Sequence, residues 1–129
     1  MRLIAVALLL ATVACQPRIQ PGREIALPSG KKVTAMAVNR VNLANNVVAL
    51  RLRYLTNLSL FDSAGLREEV EEIWPLFKPD VEREGYVDAV IIAGDAPRGG
   101  FPKTVNGVDF VYKRSADGTW QFVGNGKSN

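Results

Sequence analysis

The sequence predicts an α+β fold: a two-layer sandwich with one kinked helix packed on a mainly antiparallel sheet of about five strands, in the order β-β-α-β-β-β. Three observations predict it. From residue 32 to 55 apolar side chains alternate at the period of a strand, from 62 to 84 they recur at helical spacing, and from 86 to 123 the period returns to two. With 129 residues, 47% hydrophobic and 22% charged, the chain suits one ordinary core.

The first strand starts at Lys32, with Val33, Ala35 and Ala37 pointing one way and Thr34, Met36 and Val38 the other, and runs toward Leu43. Ala44-Asn45-Asn46 is a turn, because asparagine tolerates positive φ and bonds its own backbone. In NVVALRLRYLT, Val48, Leu50, Leu52 and Tyr54 share one face, and Ala49, Arg51, Arg53 and Leu55 share the other. That alternation belongs to an antiparallel strand with one polar face, so the first two strands form a hairpin.

Asp62 or Ser63 caps a helix along which Leu66, Val70, Ile73, Trp74, Phe77 and Val81 make an apolar stripe. Pro75 and Pro79 each remove an amide donor, so the helix is expected to kink near Ile73-Trp74 or to split, and Gly85 to stop it. Glu68, Glu69, Glu71 and Glu72 of REEVEE fall outside the stripe and read as a solvated face, not as a metal site or an acid/base pair. Trp74 and Phe77 beside a proline bend suggest an aromatic cradle, but residues at this spacing read as core.

YVDAVIIAGDA is apolar on both faces, which marks a central strand. Asp88 interrupts it. An isolated buried carboxylate is costly, so Asp88 is a candidate for a buried ion pair with Arg51 or Arg53, or else occupies a strand end. The loop GDAPRGGFPKTVNG has glycines at Gly94 and Gly99, but Gly100 and Phe101 stand where a phosphate loop needs lysine and a hydroxyl, which removes nucleotide binding. Arg98 and Phe101 form a candidate contact patch on that loop. VDFVYKRSADGTWQFVG is a hairpin turning at 115–118, with Phe110 and Trp120 expected against the helix, and 125–129 read as a disordered tail.

Residues 62–84 hold eight acidic and three basic side chains, whereas the chain as a whole has 16 basic and 13 acidic ones. The surface therefore has an acidic helical side and a basic remainder, without the clustered Lys/Arg of a nucleic-acid footprint. There is no histidine and one cysteine, so an internal disulfide and a cysteine-rich metal site are excluded and the commonest general base is missing. No metal ligand set, cofactor motif or catalytic constellation is visible, and the expectation is a protein that is not an enzyme.

At the amino terminus Arg2 precedes an uncharged apolar run from Leu3 to Ala14, the anatomy of a signal peptide. As a helix these twelve residues span about 18 Å, well short of the roughly 30 Å of bilayer hydrocarbon. The run ends Thr12-Val13-Ala14-Cys15, which resembles the lipobox of bacterial lipoproteins, with Thr12 where that family usually has leucine. The resemblance implies diacylglyceryl transfer to the Cys15 thiol, cleavage before it, and attachment to the bilayer through acyl chains. Gln16 is not the aspartate that resembles an inner-membrane retention signal, so the implied site in a two-membrane cell is the outer membrane, facing the periplasm. Thr-Val-Ala also suits the ordinary signal peptidase, which would leave Cys15 as a free thiol.

Residues 15–30 contain three prolines and two glycines and read as a flexible tether, giving a signal peptide at 1–14, the lipidated tether at 15–30, one domain at 31–124 and the tail at 125–129. The functional expectation is an envelope lipoprotein that binds or scaffolds a protein partner through the sheet face around Arg51 and Arg53 or through a strand edge. A small-ligand carrier with a cavity lined by Trp74, Phe77 and Phe110 is the alternative. A cell-wall-active hydrolase, which needs a carboxylate pair in a cleft, comes third.

Overall fold

The computed structural model describes residues 18–95 and 106–128. The described elements are β1 (Glu24–Ala26), β2 (Lys32–Asn42), β3 (Val48–Leu55), α1 (Ser63–Arg83), β4 (Asp88–Gly94), β5 (Gly107–Arg114) and β6 (Trp120–Ser128). The six strands form one sheet in chain order. Each is antiparallel to the next except β3 and β4, which run parallel with α1 crossing between them. A parallel pair cannot be closed by a tight turn, and the helix supplies the return. The fold is α+β, with the helix on one face of a mixed sheet.

Local chemistry explains the turns. Asn45 and Asn46 take φ of 62° and 61° in the single 3-10 turn that joins β2 to β3, a conformation asparagine accepts more readily than most residues. The Asp62 carboxylate accepts from the Gly65 amide at 3.0 Å, capping α1, and Gly85 at φ 79° ends it. Pro75 and Pro79 do not split the helix, which runs as one element of 21 residues. Pro75 is exposed, as are Glu68 and Glu71 along the same outer line, so the carbonyl that loses its donor lies where solvent can serve it.

One side of the sheet meets α1 and forms the core. Leu50, Leu52 and Tyr54 of β3, Ala89, Ile91 and Ala93 of β4, and Phe110 and Tyr112 of β5 pack against Leu66, Val70, Ile73, Phe77 and Val81. Trp74 closes its β5–β6 flank, stacking on Tyr112 with ring centroids 4.1 Å apart and meeting Trp120 edge-on at 5.1 Å. The Trp120 indole donates to Glu82 Oε1 at 2.9 Å, and the Arg67 guanidinium covers the Phe122 ring at 3.3 Å. Stacking and cation–π geometry of this kind adds about 0.5–1.5 kcal/mol per contact to the apolar burial.

Three features of the described residues differ from the sequence reading. The sheet has six strands rather than five, because β1 forms inside the stretch read as tether. Ile25 and Leu27 enter the core there, and the Gly22 amide donates to the Ala35 carbonyl at 2.8 Å. The alternation along β2 also slips at a bulge between Ala35 and Ala37, so Val38 rather than Ala37 faces the same side as Val33 and Ala35. Finally, β6 reaches Ser128, paired with Gly107, where a disordered tail was expected. Backbone pairing along β5 needs no side-chain pattern, so the glycine-rich end carried no signal of it.

Candidate binding face

The side of the sheet away from α1 is the site that the sequence singled out. Two cross-strand rows organise it. Asn39, Arg51, Val90 and Val111 are registered side by side, and so are Ala37, Arg53, Ile92 and Asp109. Val90 and Ile92 are each only 3% exposed although α1 lies on the other side of the sheet. Together with Ala49 they form a small second core, flanked by Val41, Leu43 and Val111. Arg51 and Arg53 stand beside them in these rows, where long aliphatic stems can cover apolar surface.

The two arginines are held differently. Arg51 Nε donates to Asn39 Oδ1 at 3.2 Å across the β2–β3 pair. The Arg53 guanidinium lies over Gly94, where a β-carbon would stand 3.2 Å from both Nε and Nη2. Gly94 therefore keeps the space that lets Arg53 lie flat on the sheet. Guanidinium groups suit a carboxylate-bearing partner, because their planar geometry matches that of a carboxylate.

Asp88 does not join them. It opens β4 as a half-buried residue registered opposite Lys113, while Arg51 and Arg53 lie level with Val90 and Ile92. Among the described residues its carboxylate makes no salt bridge, so the expected ion pair gives way to the strand-end position. Arg98, Phe101 and Cys15 lie outside the described residues. Trp74, Phe77 and Phe110, named above as a possible cavity lining, are packed against their neighbours, with Phe77 and Phe110 fully buried.

Buried charge sits where the sequence reading placed solvent. Glu69 is 2% exposed and pairs with Lys31 from the β1–β2 turn. Beneath it lies Tyr54, fully buried, with its hydroxyl beside the Glu69 carboxylate. Burial pushes the Tyr54 phenol well above the ordinary tyrosine range, and the Glu69 charge pushes it further. Glu72 likewise turns to the β1–β2 turn, accepting from the Ser29 amide at 2.8 Å and the Ser29 hydroxyl at 3.1 Å. Glu69 is three residues past Leu66 and four before Ile73, which puts it at the edge of the apolar stripe. That spacing was the available signal.

Asp80 is the second buried carboxylate. It accepts from the Ile19 amide at 3.0 Å and from Arg83 Nη1 at 3.1 Å. Beside it an open groove of about 400 Å³ runs between β1 and α1, bordered by Arg18, Ile19, Arg23, Ile25 and Leu76.

Comparison with protein-family models, with curated proteins and with solved structures found no match to this chain. Among the described residues no helix is long and apolar enough to cross a membrane.

Proposed function

We propose that this chain is a bacterial envelope lipoprotein, held to the bilayer by acyl chains on Cys15, whose domain binds a protein partner without catalysing a reaction. The anchor rests on Thr12-Val13-Ala14-Cys15 closing an apolar run of twelve residues. One acyl chain holds a protein marginally and two or three hold it stably, at about 0.8 kcal/mol per buried methylene. In a cell with two membranes the protein sits in the outer one, facing the periplasm, as Gln16 favours.

The binding role is supported by the sheet face away from α1, where Arg51 and Arg53 are registered beside Val90 and Ile92. A partner with an acidic, partly apolar surface suits that chemistry. The carrier alternative has less support, since side chains fill the space between helix and sheet.

The test uses fractionated cells. Cys15→Ser is expected to leave an uncut precursor or release the protein from membranes, and unchanged mature membrane attachment would contradict the anchor. Arg51→Glu with Arg53→Glu is expected to abolish crosslinks to envelope proteins seen with the parent chain. Retention of every crosslink would move the partner site elsewhere.

A further inference from the structure

Residues read as a tether are built into the domain, and this limits how far the domain can stand from its anchor. Arg18 pairs with Glu84 at 3.7 Å, the Ile19 amide is bonded to Asp80, and Ile19 packs against the core. The Arg23 carbonyl then accepts from the Ala35 amide at 2.9 Å as the chain enters β1. Only three peptide links separate Cys15 from Arg18, which span at most about 11 Å. The polar layer of one leaflet is itself about 5–8 Å deep, so a lipidated Cys15 at the hydrocarbon boundary uses most of that length crossing it.

We infer that the folded domain rests directly on the lipid headgroups, with the end of the molecule that holds Arg18 and the C-terminus of α1 facing the bilayer. This rests on the lipid-anchor reading of Cys15. The orientation follows from the topology. Arg18 and Ile19 are fastened to Glu84 and Asp80 at one end of α1, while the Asp62 cap and the loop at 56–62 lie at the other, about 30 Å away along a helix of this length. The strands β3, β4 and β5 run between the two ends, so the face bearing Arg51 and Arg53 stands upright on the membrane and opens sideways. Arg18, exposed at the groove mouth, comes to headgroup level, where anionic lipid attracts guanidinium groups.

The experiment uses full-length protein, processed in cells, purified and reconstituted into vesicles of phosphatidylethanolamine and phosphatidylglycerol that carry a headgroup-linked energy acceptor. A lipidated Cys15 cannot react with maleimide, so a donor attaches only at an introduced cysteine, Gln20→Cys near the anchor or Asn57→Cys at the far end. Transfer from Gln20→Cys is expected to be clearly higher than from Asn57→Cys, which lies in the loop before α1, at the opposite end of the helix from Glu84. Inserting 20 Gly/Ser residues between Pro17 and Arg18, with a mean reach of about 25 Å, is expected to lower the Gln20→Cys signal while flotation persists. Equal transfer from the two sites in floated vesicles, or a signal unmoved by the insertion, would overturn the inference alone. Maleimide labelling of the parent chain together with failure to float would overturn the anchor reading and the inference with it.

Discussion

The Ile19 amide and the Asp80 carboxylate are joined at 3.0 Å across 61 residues of sequence. This bond ties the entering chain to the last turns of α1, and Arg83 holds the other carboxylate oxygen. The folded body therefore begins at least as early as Arg18, earlier than proline and glycine content alone suggests. Asp80→Ala removes both contacts. A hydrogen bond to a charged group contributes about 1.5–3 kcal/mol, so the variant is expected to lose about 2 kcal/mol and melt roughly 10 °C lower. Limited trypsin digestion checks the local effect, with cleavage after Arg18 and Arg23 expected early in the variant and late in the parent.

Lys31 and Glu69 give an ordered pair of effects. Lys31→Met leaves the Glu69 carboxylate buried without its cation and is expected to cost about 3 kcal/mol. Glu69→Leu removes the buried charge instead and is expected to cost less than half of that, because an apolar side chain suits the site beside Leu66 and Ile73. Denaturant melts of the two variants decide it, and a larger loss for Glu69→Leu would refute the assignment.

Tyr54 links stability to alkaline pH. Its folded pKa is raised above the unfolded one, so the folded state holds the phenolic proton after the unfolded chain has released it. The contribution is fully present below the ordinary tyrosine value of about 10 and is lost as pH rises beyond it, at about 1.4 kcal/mol per pH unit. Tyr54→Phe cannot ionise. Its stability relative to the parent chain is expected to be flat up to pH about 10 and to rise steadily above it, as followed by urea melts.

Pro75 is a position where the parent sequence is not at its stability optimum. It interrupts α1 on the exposed side without splitting it, and Pro75→Ala restores an amide donor. A gain of about 1–3 kcal/mol is expected, read as a higher melting temperature. A loss would show that Pro75 makes packing contacts that its exposure hides.

The regular elements were legible because their signals were local. The β3 alternation, the Leu66–Val81 stripe, the Asp62 cap, the paired asparagines and Gly85 each determine geometry within a few residues, and the structure follows them. What escaped was set by partners distant in sequence. β1 forms only because Val33 and Thr34 offer an edge, β6 extends because β5 does, and Glu69 is buried because the β1–β2 turn brings Lys31 over it. On the candidate face, sequence placed Arg51 and Arg53 together correctly, since strand period alone does that. It could not set the β3–β4 register, which puts Val90 and Ile92 beside them and leaves Asp88 at the strand end.

The anchor at Cys15 is the central claim, and mass spectrometry of the mature amino-terminal peptide tests it most directly. Membrane-extracted protein is expected to begin at Cys15 and to carry the mass of a diacylglyceryl group, with or without a further amide-linked acyl chain. An amino terminus at Cys15 with an unmodified thiol, or one upstream of it, would contradict the account.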